Sequence, residues 1–341
     1  MKALALKYRP ETFDDVVEQK AIRQILQEQV ATKTYKHAYL FTGGAGTGKT
    51  TCARILANEI NAGKGKPIEI DAASNNGVDD VREIINDAKF KALDAEYKVY
   101  ILDECHMFST GAWNAMLKLI EEPPAKTIFI FCTTDPQKIP ATILSRVQRY
   151  DFQRITYHGI LNRLIYIMEE GEGRQYERTA LEYIAKLAEG GMRDAITMLD
   201  KCLSFSKDVL TLKDVVEALG TVDYDTMFEI LEFLLARKTA LLLAKLDTIH
   251  KSGADLKQFM KQFGWFVLDV CKYQKLGNFE YLQVPEIYEV QMRRLMEFQE
   301  DSLLEILRMV LEVNNLIKWE ANAKALIEAR FILHCEGVEG W

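Results

Sequence analysis

Eight consecutive residues, Gly43-Gly44-Ala45-Gly46-Thr47-Gly48-Lys49-Thr50, constrain the fold of this chain more than any other stretch. They satisfy the spacing G-x-x-x-x-G-K-[ST]. The apolar run His37–Phe41 comes directly before them, and a helical pattern with Cys52, Ile55, Leu56 and Ile60 on one face comes directly after. Glycines at these positions let the backbone turn so that successive N–H groups converge on phosphate oxygens, and the following helix adds its positive end. In such a loop Lys49 neutralises the outer phosphates and the Thr50 hydroxyl is placed to ligate Mg²⁺. Gly43 through Thr51 are therefore the candidate contacts to a nucleoside triphosphate. A glycine-rich turn with a chance lysine is the alternative, and the flanking strand and helix argue against it.

The rest of the first half fits a parallel α/β sheet. His37–Phe41, Ile68–Ile70, Val99–Leu102, Thr127–Cys132 and Tyr150–Phe152 read as strands. Val99–Leu102 and Thr127–Cys132 are nearly continuous apolar runs, as strands covered on both faces should be. Between these two runs, Trp113, Met116, Leu117 and Ile120 recur at helical spacing until Pro123-Pro124 stops the helix. Such alternation is the pattern of helices packed on a parallel sheet.

Two further elements fall at strand ends. The run VYILDECHMF ends its apolar stretch on Asp103-Glu104, downstream of Thr50. At a carboxyl edge, Asp103 can hold Mg²⁺ and Glu104 can act as general base on a water, which turns binding into hydrolysis. An isolated acidic pair is usually only a solvated strand end. Phe131-Cys132-Thr133-Thr134 ends another strand and brings Thr133 or Thr134 to the same edge, where a hydroxyl can sense a terminal phosphate.

After residue 152 the strand pattern disappears. Leu181, Ile184, Ala185 and Ala188 form one apolar helical face, and Met192, Ala195, Ile196 and Leu199 form another after Gly190-Gly191. Met227, Ile230, Leu231 and Leu234 repeat the spacing, and long helical patterns continue through 240–275 and 302–333. Three domains are expected: an α/β domain at 1–152, a small helical domain at 153–219 and an all-α domain at 220–341. Charge is uneven across them. Residues 1–150 hold 20 Lys/Arg and 19 Asp/Glu, whereas residues 151–341 hold 23 and 31, so any polyanion is expected to meet the first half. The overall charge of -7 excludes a basic, histone-like binder of nucleic acid. The six cysteines lie far apart and form no C-x-x-C pair, so they are expected to be reduced, buried and without zinc. No run of 18 apolar residues and no signal-peptide core occur, and a soluble, cytoplasmic chain that does not engage a membrane is expected.

At this density of motifs the chain resembles the AAA+ clamp-loader ATPases of bacterial replication, the DNA polymerase III gamma/tau family. The resemblance rests on KYRPETFDDVVEQ, GGAGTGKTT, IDAASNNGVDDVREI, VYILDECHMF, NAMLKLIEEPP, TTDPQKIPATILSRVQRYDF and EGGMRDAITMLDK, with EANAKALIEARFIL resembling the last collar helix. It implies a P-loop AAA+ module with a helical lid, followed by an all-α collar that assembles a five-membered ring. It also implies ATP as substrate, with self copies, delta- and delta-prime-like subunits, a sliding clamp and primer–template DNA as partners. Arg146, in Ser145-Arg146-Val147, would be a finger reaching a neighbour's ATP; on its own it reads as a surface ion pair. Arg193 in GGMRDA would sense the γ-phosphate from the lid, and Thr133 would be the first sensor. Tyr8, Arg9, Pro10 and Val17 would surround adenine and ribose. Asn76, Arg82 and Lys118 would meet duplex phosphates, with a solvated face as the competing reading.

The chain departs from the family pattern in places. NAGKGK (61–66) stands where cellular relatives carry a four-cysteine zinc module, so no zinc is expected. Glu18 stands in place of a usual glycine, and no long tau-type extension is expected. Two competing functions remain. A non-catalytic loader subunit would have no need of Lys49, Thr50, Asp103, Glu104 and Arg193. An AAA+ DNA translocase or branch-migration motor would be expected to end in a DNA-reading domain rather than a long all-α region.

Overall fold

A computed structural model describes residues 3–279 and 282–338. The chain divides into two compact units, Met1–Thr211 and Leu212–Trp341. The first is built on a sheet of β1 (Ala38–Gly43), β2 (Ile68–Asp71), β3 (Lys98–Asp103), β4 (Thr127–Thr133) and β5 (Gln148–Phe152). Their order is β2-β3-β4-β1-β5, and every pair is parallel. Each expected strand is present, one or two residues longer than its apolar run. The central β4 is buried at all seven positions, while the edge strand β2 alternates between half-buried and exposed. Neighbours on both sides and helices on both faces account for that difference.

Strand periodicity sends alternate side chains to opposite faces. On one face Tyr39, Phe41, Ile101, Ile130 and Cys132 pack against α2 (Lys20–Thr32) and α3 (Lys49–Ile60), which contribute Leu26, Cys52, Ile55 and Leu56. On the other, Leu40, Tyr100, Leu102, Phe129 and Phe131 meet α4 (Val78–Ala88) and α5 (Thr110–Glu121) through Val81, Trp113 and Met116. One polar network crosses the first core. The Tyr39 hydroxyl donates to Gln29 Oε1 at 2.9 Å, and Gln29 Nε2 donates to the Tyr150 hydroxyl at 3.1 Å. Burial pushes the Tyr39 phenol up to about 12, so it serves as a neutral hydrogen-bonding group.

Two one-turn helices flank these elements: α1 (Leu4–Lys7), whose Leu4 N donates to Asp200 Oδ2 of the later helix Met192–Phe205 at 3.0 Å, and α6 (Ala141–Leu144), which packs on α5. Beyond Phe152 come α7 (Tyr157–Tyr166), which runs into a π-helical stretch at Ile167–Glu172, then α8 (Arg178–Leu187) and α9 (Met192–Phe205). They pack on one another through Leu161, Leu164, Leu181, Ile184 and Leu199, all buried. The second unit holds α10 (Leu212–Leu219), α11 (Tyr224–Leu235), α12 (Thr239–Lys251), α13 (Leu256–Leu276), α14 (Glu289–Leu295), α15 (Glu300–Leu316) and α16 (Ala323–Cys335). The division at Thr211/Leu212 puts α10 in this second unit, whereas the sequence reading carried the lid through residue 219.

Within the second unit, α13 and α15 approach closely at Gly264. A Cβ there would stand 2.9 Å from Asn314 Nδ2, and that amide donates to the Met260 carbonyl at 3.0 Å. Asp269 is 1% exposed in the same bundle. Its carboxylate accepts from the backbone N–H groups of Gln283 and Val284 and pairs with Lys272 at 3.2 Å. One buried carboxylate thus satisfies two backbone donors and holds Gln283 and Val284 against the bundle. Asp269→Ala should destabilise the second unit by about 2–4 kcal/mol, with Asp269→Asn losing about half as much, read as shifted chemical-denaturation midpoints. A midpoint unchanged in Asp269→Ala would show that water satisfies those donors.

Candidate functional site

Parallel pairing puts the carboxyl ends of β1, β3 and β4 on one edge. Thr42 of β1 is in register with Thr133 of β4, and Leu102 of β3 with Phe131 of β4. The glycine-rich loop leaves β1 at this edge and closes on itself, the Thr47 hydroxyl donating to the Gly44 carbonyl at 2.9 Å. Gly43, Gly46 and Gly48 have φ of 142°, 68° and 103°, conformations that side chains resist. At Gly43 a Cβ would also lie 2.4 Å from the Phe152 carbonyl oxygen.

The loop borders a cavity of about 290 Å³. Ala45, Gly46, Thr47, Gly48, Lys49, Thr50 and Thr51 line it, with Asp103, Glu104 and Arg193. Gly43 and Gly44 lie behind this wall and present their carbonyls to Lys49, whose ammonium donates to them at 2.8 and 2.7 Å. Lys49 is 6% exposed, and burial lowers its pKa. An anionic ligand would relieve that desolvation by giving the ammonium a counter-charge. The Thr50 hydroxyl donates to Asp103 Oδ2 at 2.9 Å. These two hard oxygen donors, side by side in the cavity lining, fit a Mg²⁺ ion.

Glu104 has φ of 47°, a left-handed conformation that is uncommon for a residue with a side chain. The turn brings its half-exposed carboxylate into the cavity lining. Thr134 Oγ1 donates to Glu104 Oε2 at 3.0 Å, and His106 Nδ1 lies 3.3 Å from the same oxygen. Thr133 sits elsewhere. It is fully buried, accepts from Asp135 N at 3.0 Å, and its hydroxyl is 3.1 Å from His106 Nδ1. Of the two threonines, Thr134 therefore touches the candidate base directly, and Thr133 reaches it through His106.

The N-terminal segment contributes Tyr8, Arg9, Pro10 and Val17 to the same lining. Tyr8 is fixed from the helices beyond the sheet: its hydroxyl donates to Glu172 at 2.7 Å, and a Cβ on Gly171 would overlap its ring. Burial and then Glu172 raise the Tyr8 pKa. Val16, Ile155, Met192 and Ile196 add apolar lining suited to a base. Arg163 also lines the cavity and donates to the Tyr8 carbonyl at 3.0 Å. Sequence reasoning did not find Arg163, since no motif marks an arginine in mid-helix α7. Arg193 is exposed at the first turn of α9, and Met192 N donates to the Gly46 carbonyl at 3.0 Å, joining this helix to the loop.

The remaining predicted residues lie away from the cavity. Arg146 pairs with Glu121 at 2.7 Å and is about one-third exposed. Arg82 pairs with Asp79 at 2.7 Å on the open face of α4, Lys118 is exposed on α5, and the Asn76 carbonyl accepts from Ser109 N at the start of α5. In NAGKGK, Asn61 is buried and exchanges two hydrogen bonds with the Tyr97 backbone, while residues 62–66 are exposed. Among the described residues no cluster of three or more His, Cys, Asp or Glu side chains is placed to hold a metal ion, no disulfide forms, and no helix is long and apolar enough to cross a membrane.

Comparison with known proteins agrees with this geometry. Residues 68–156 match the family described as DNA polymerase III, delta subunit. Residues 159–208 match the ATPase lid domain of the DNA polymerase III clamp loader subunit, and residues 210–313 match domain III of DNA polymerase III subunits gamma and tau. Solved structures of the RuvB Holliday junction branch migration motor of Thermotoga maritima superpose with a TM-score of 0.53 at 19% identity, over 73% of this chain and 86% of that one. That likeness is one of fold. DNA polymerase III subunit tau of Bacillus subtilis is 37% identical over 98% of this chain, and gamma/tau of Mycoplasma genitalium is 34% identical over 82%. The chain spans 63% and 50% of the length of these two relatives. DNA polymerase III subunit gamma of Buchnera aphidicola is 32% identical, with 81% of this chain aligned to 82% of that one. With its parallel P-loop AAA+ sheet, its helical lid and its all-helical second unit, the chain belongs to the DNA polymerase III gamma/tau family.

Proposed function

We propose that this chain is an ATP-hydrolysing motor subunit of a sliding-clamp loader, acting in the cytoplasm during replication. The observation that carries the reading is the cavity itself. It gathers Lys49, the Thr50–Asp103 pair, Glu104 and Arg193 together with Tyr8, Arg9, Pro10 and Val17 around one space. The three expected domains take their roles here, 1–152 as nucleotide domain, 153–219 as lid and 220–341 as collar. Self copies and delta- and delta-prime-like subunits would complete a five-membered ring around primer–template DNA.

Each residue then has a physical task. Lys49 leaves the loop carbonyls and neutralises the β/γ-phosphates, with Gly43 to Thr51 supplying backbone and hydroxyl contacts. Mg²⁺, held by Thr50 and Asp103, would screen phosphate charge when bound. Glu104 orients the attacking water and takes its proton, and Thr134 and His106 hold its carboxylate. Thr133 serves as first sensor through His106, and Arg193 reports the γ-phosphate to the lid. Arg146 compensates transition-state charge in a neighbouring subunit. Its ion pair with Glu121 is exposed and worth little, so exchange for a phosphate costs little. Asn76, Arg82 and Lys118 track the DNA backbone, where a few inward cations repeated over subunits suffice for an acidic protein. Phe90 and Leu93, 71% and 98% exposed just after α4, form the face offered to the clamp.

Lys49→Ala should weaken binding of a fluorescent ATP analogue by more than about tenfold, whereas Glu104→Gln should keep binding and lose about 10²-fold or more in turnover. Wild-type turnover in Glu104→Gln would remove it as the base.

With loader partners, clamp and primed DNA, Arg146→Ala should bind ATP normally and lose about 10²-fold or more of the stimulated rate. Equal stimulation of the wild type by any duplex, without clamp or partners, would favour a translocase instead.

Replacing Phe90 and Leu93 together with Asp should abolish clamp binding in sizing or pull-down measurements and spare ATP binding. Unchanged clamp affinity would place that contact elsewhere.

A further inference from the structure

Glu18 and Gln19 are consecutive non-glycine residues in the left-handed region, with φ of 57° and 48°. Such backbone is uncommon for side-chain-bearing residues and persists only where surroundings over-determine it. Here both side chains reach to the same short segment, residues 153–156, which joins β5 to α7. The buried Gln19 amide acts as a strand would: its Nε2 donates to the Gln153 carbonyl at 2.7 Å, and Gln153 N donates to its Oε1 at 3.2 Å. The Glu18 carboxylate accepts from Thr156 N at 3.1 Å and from the Thr156 hydroxyl.

Thr156 is the N-cap of α7, its hydroxyl accepting from Gly159 N at 3.1 Å. In a capping box, a Glu or Gln three residues on returns a carboxyl or amide oxygen to the N-cap backbone N–H. Position 159 is glycine and has no such group. A Cβ there would lie 2.5 Å from Glu18 Oε1 and 2.9 Å from Ile155 Cγ2. Glu18 thus occupies the space the missing side chain would take and makes its hydrogen bond from a distant part of the sequence. The carboxylate also lies at the positive end of α7.

We propose that Glu18, with Gln19, is a positioning residue that ties the apolar wall of the nucleotide cavity to the first lid helix. Val16 and Val17 precede the pair, Ile155 precedes Thr156, and all three line the cavity. Helix α7 carries Arg163, which lines the cavity and holds the Tyr8 carbonyl. Cutting the tether frees both walls of the pocket at once and leaves Lys49, Thr50 and Asp103 untouched, so bound nucleotide leaves faster. The inference rests on the nucleotide reading above.

The test compares full-length wild type, Glu18→Gly, Glu18→Gln and the swap Glu18→Gly with Gly159→Glu. Release of a fluorescent ATP analogue is followed by stopped flow, and backbone hydrogen exchange is followed at 16–19 and 153–160. Glu18→Gly should release the analogue about 5- to 10-fold faster and exchange faster at 153–160, with Glu18→Gln intermediate. The swap restores a capping box within α7 without the link to residue 18, so protection at 157–160 should return while release stays fast. Wild-type release in Glu18→Gly, or slow release regained together with protection in the swap, would overturn the proposal and leave Glu18 as a helix cap. Failure of the wild type to bind the analogue would sink the nucleotide reading. In that case exchange at 153–160 unchanged by Glu18→Gly would sink the tether as well.

Discussion

Parallel pairing of β1 with β4, and of β4 with β3, is the constraint on which the site depends. It brings Gly43, Asp103 and Thr133 to one edge of the sheet although they are separated along the chain. The alternating faces that follow from the same pairing decide which side chains stay in the core. Thr133 remains in its strand and is fully buried, whereas Thr134, one step further, reaches Glu104. A strand built on aromatic and β-branched residues can hold this register because both of its faces are packed.

Three of the non-glycine residues with left-handed φ lie in or next to the cavity lining. Gly46 and Gly48 take left-handed φ at no steric cost, but Glu104, Glu18 and Gln19 do so with side chains. Each strained residue is held by bonds at its own position: Glu104 N by Asp103 Oδ1 at 3.0 Å, Glu18 by Thr156, and Gln19 by Gln153. Strain held in this way fixes a carboxylate or an amide where extended backbone would aim it elsewhere.

The sequence was most legible where spacing itself carries the chemistry. The glycine-rich loop, the acidic pair after an apolar strand and the five strands follow from local pattern, with only the strand ends shifting. The N-terminal wall and Arg193 became legible through family resemblance, and the structure brings Tyr8, Arg9, Pro10, Val17 and Arg193 into one cavity. What stayed hidden depends on partners far apart in sequence. Arg163 meets Tyr8 across 155 residues, Glu18 meets Thr156 across 138, and Gly171 is needed only because a tyrosine ring lies on it. No periodicity encodes such pairs.

The contact between loop and lid is made of backbone. A Cβ on Gly46 would lie 3.1 Å from Gly191 Cα and 3.3 Å from Arg193 N, and the bond from Met192 N to the Gly46 carbonyl spans the same place. No side chain is interposed to absorb a displacement there. Any displacement of the loop at Gly46 must therefore be felt at the first turn of α9, where Arg193 is. Close-packed elements respond by moving between discrete arrangements rather than by deforming. In this chain the helical segment is thus joined to the cavity lining twice, through the Gly46 backbone and through the Glu18–Thr156 contact beside Val17 and Ile155. Occupancy of the pocket can then set the position of the whole helical segment rather than of one side chain.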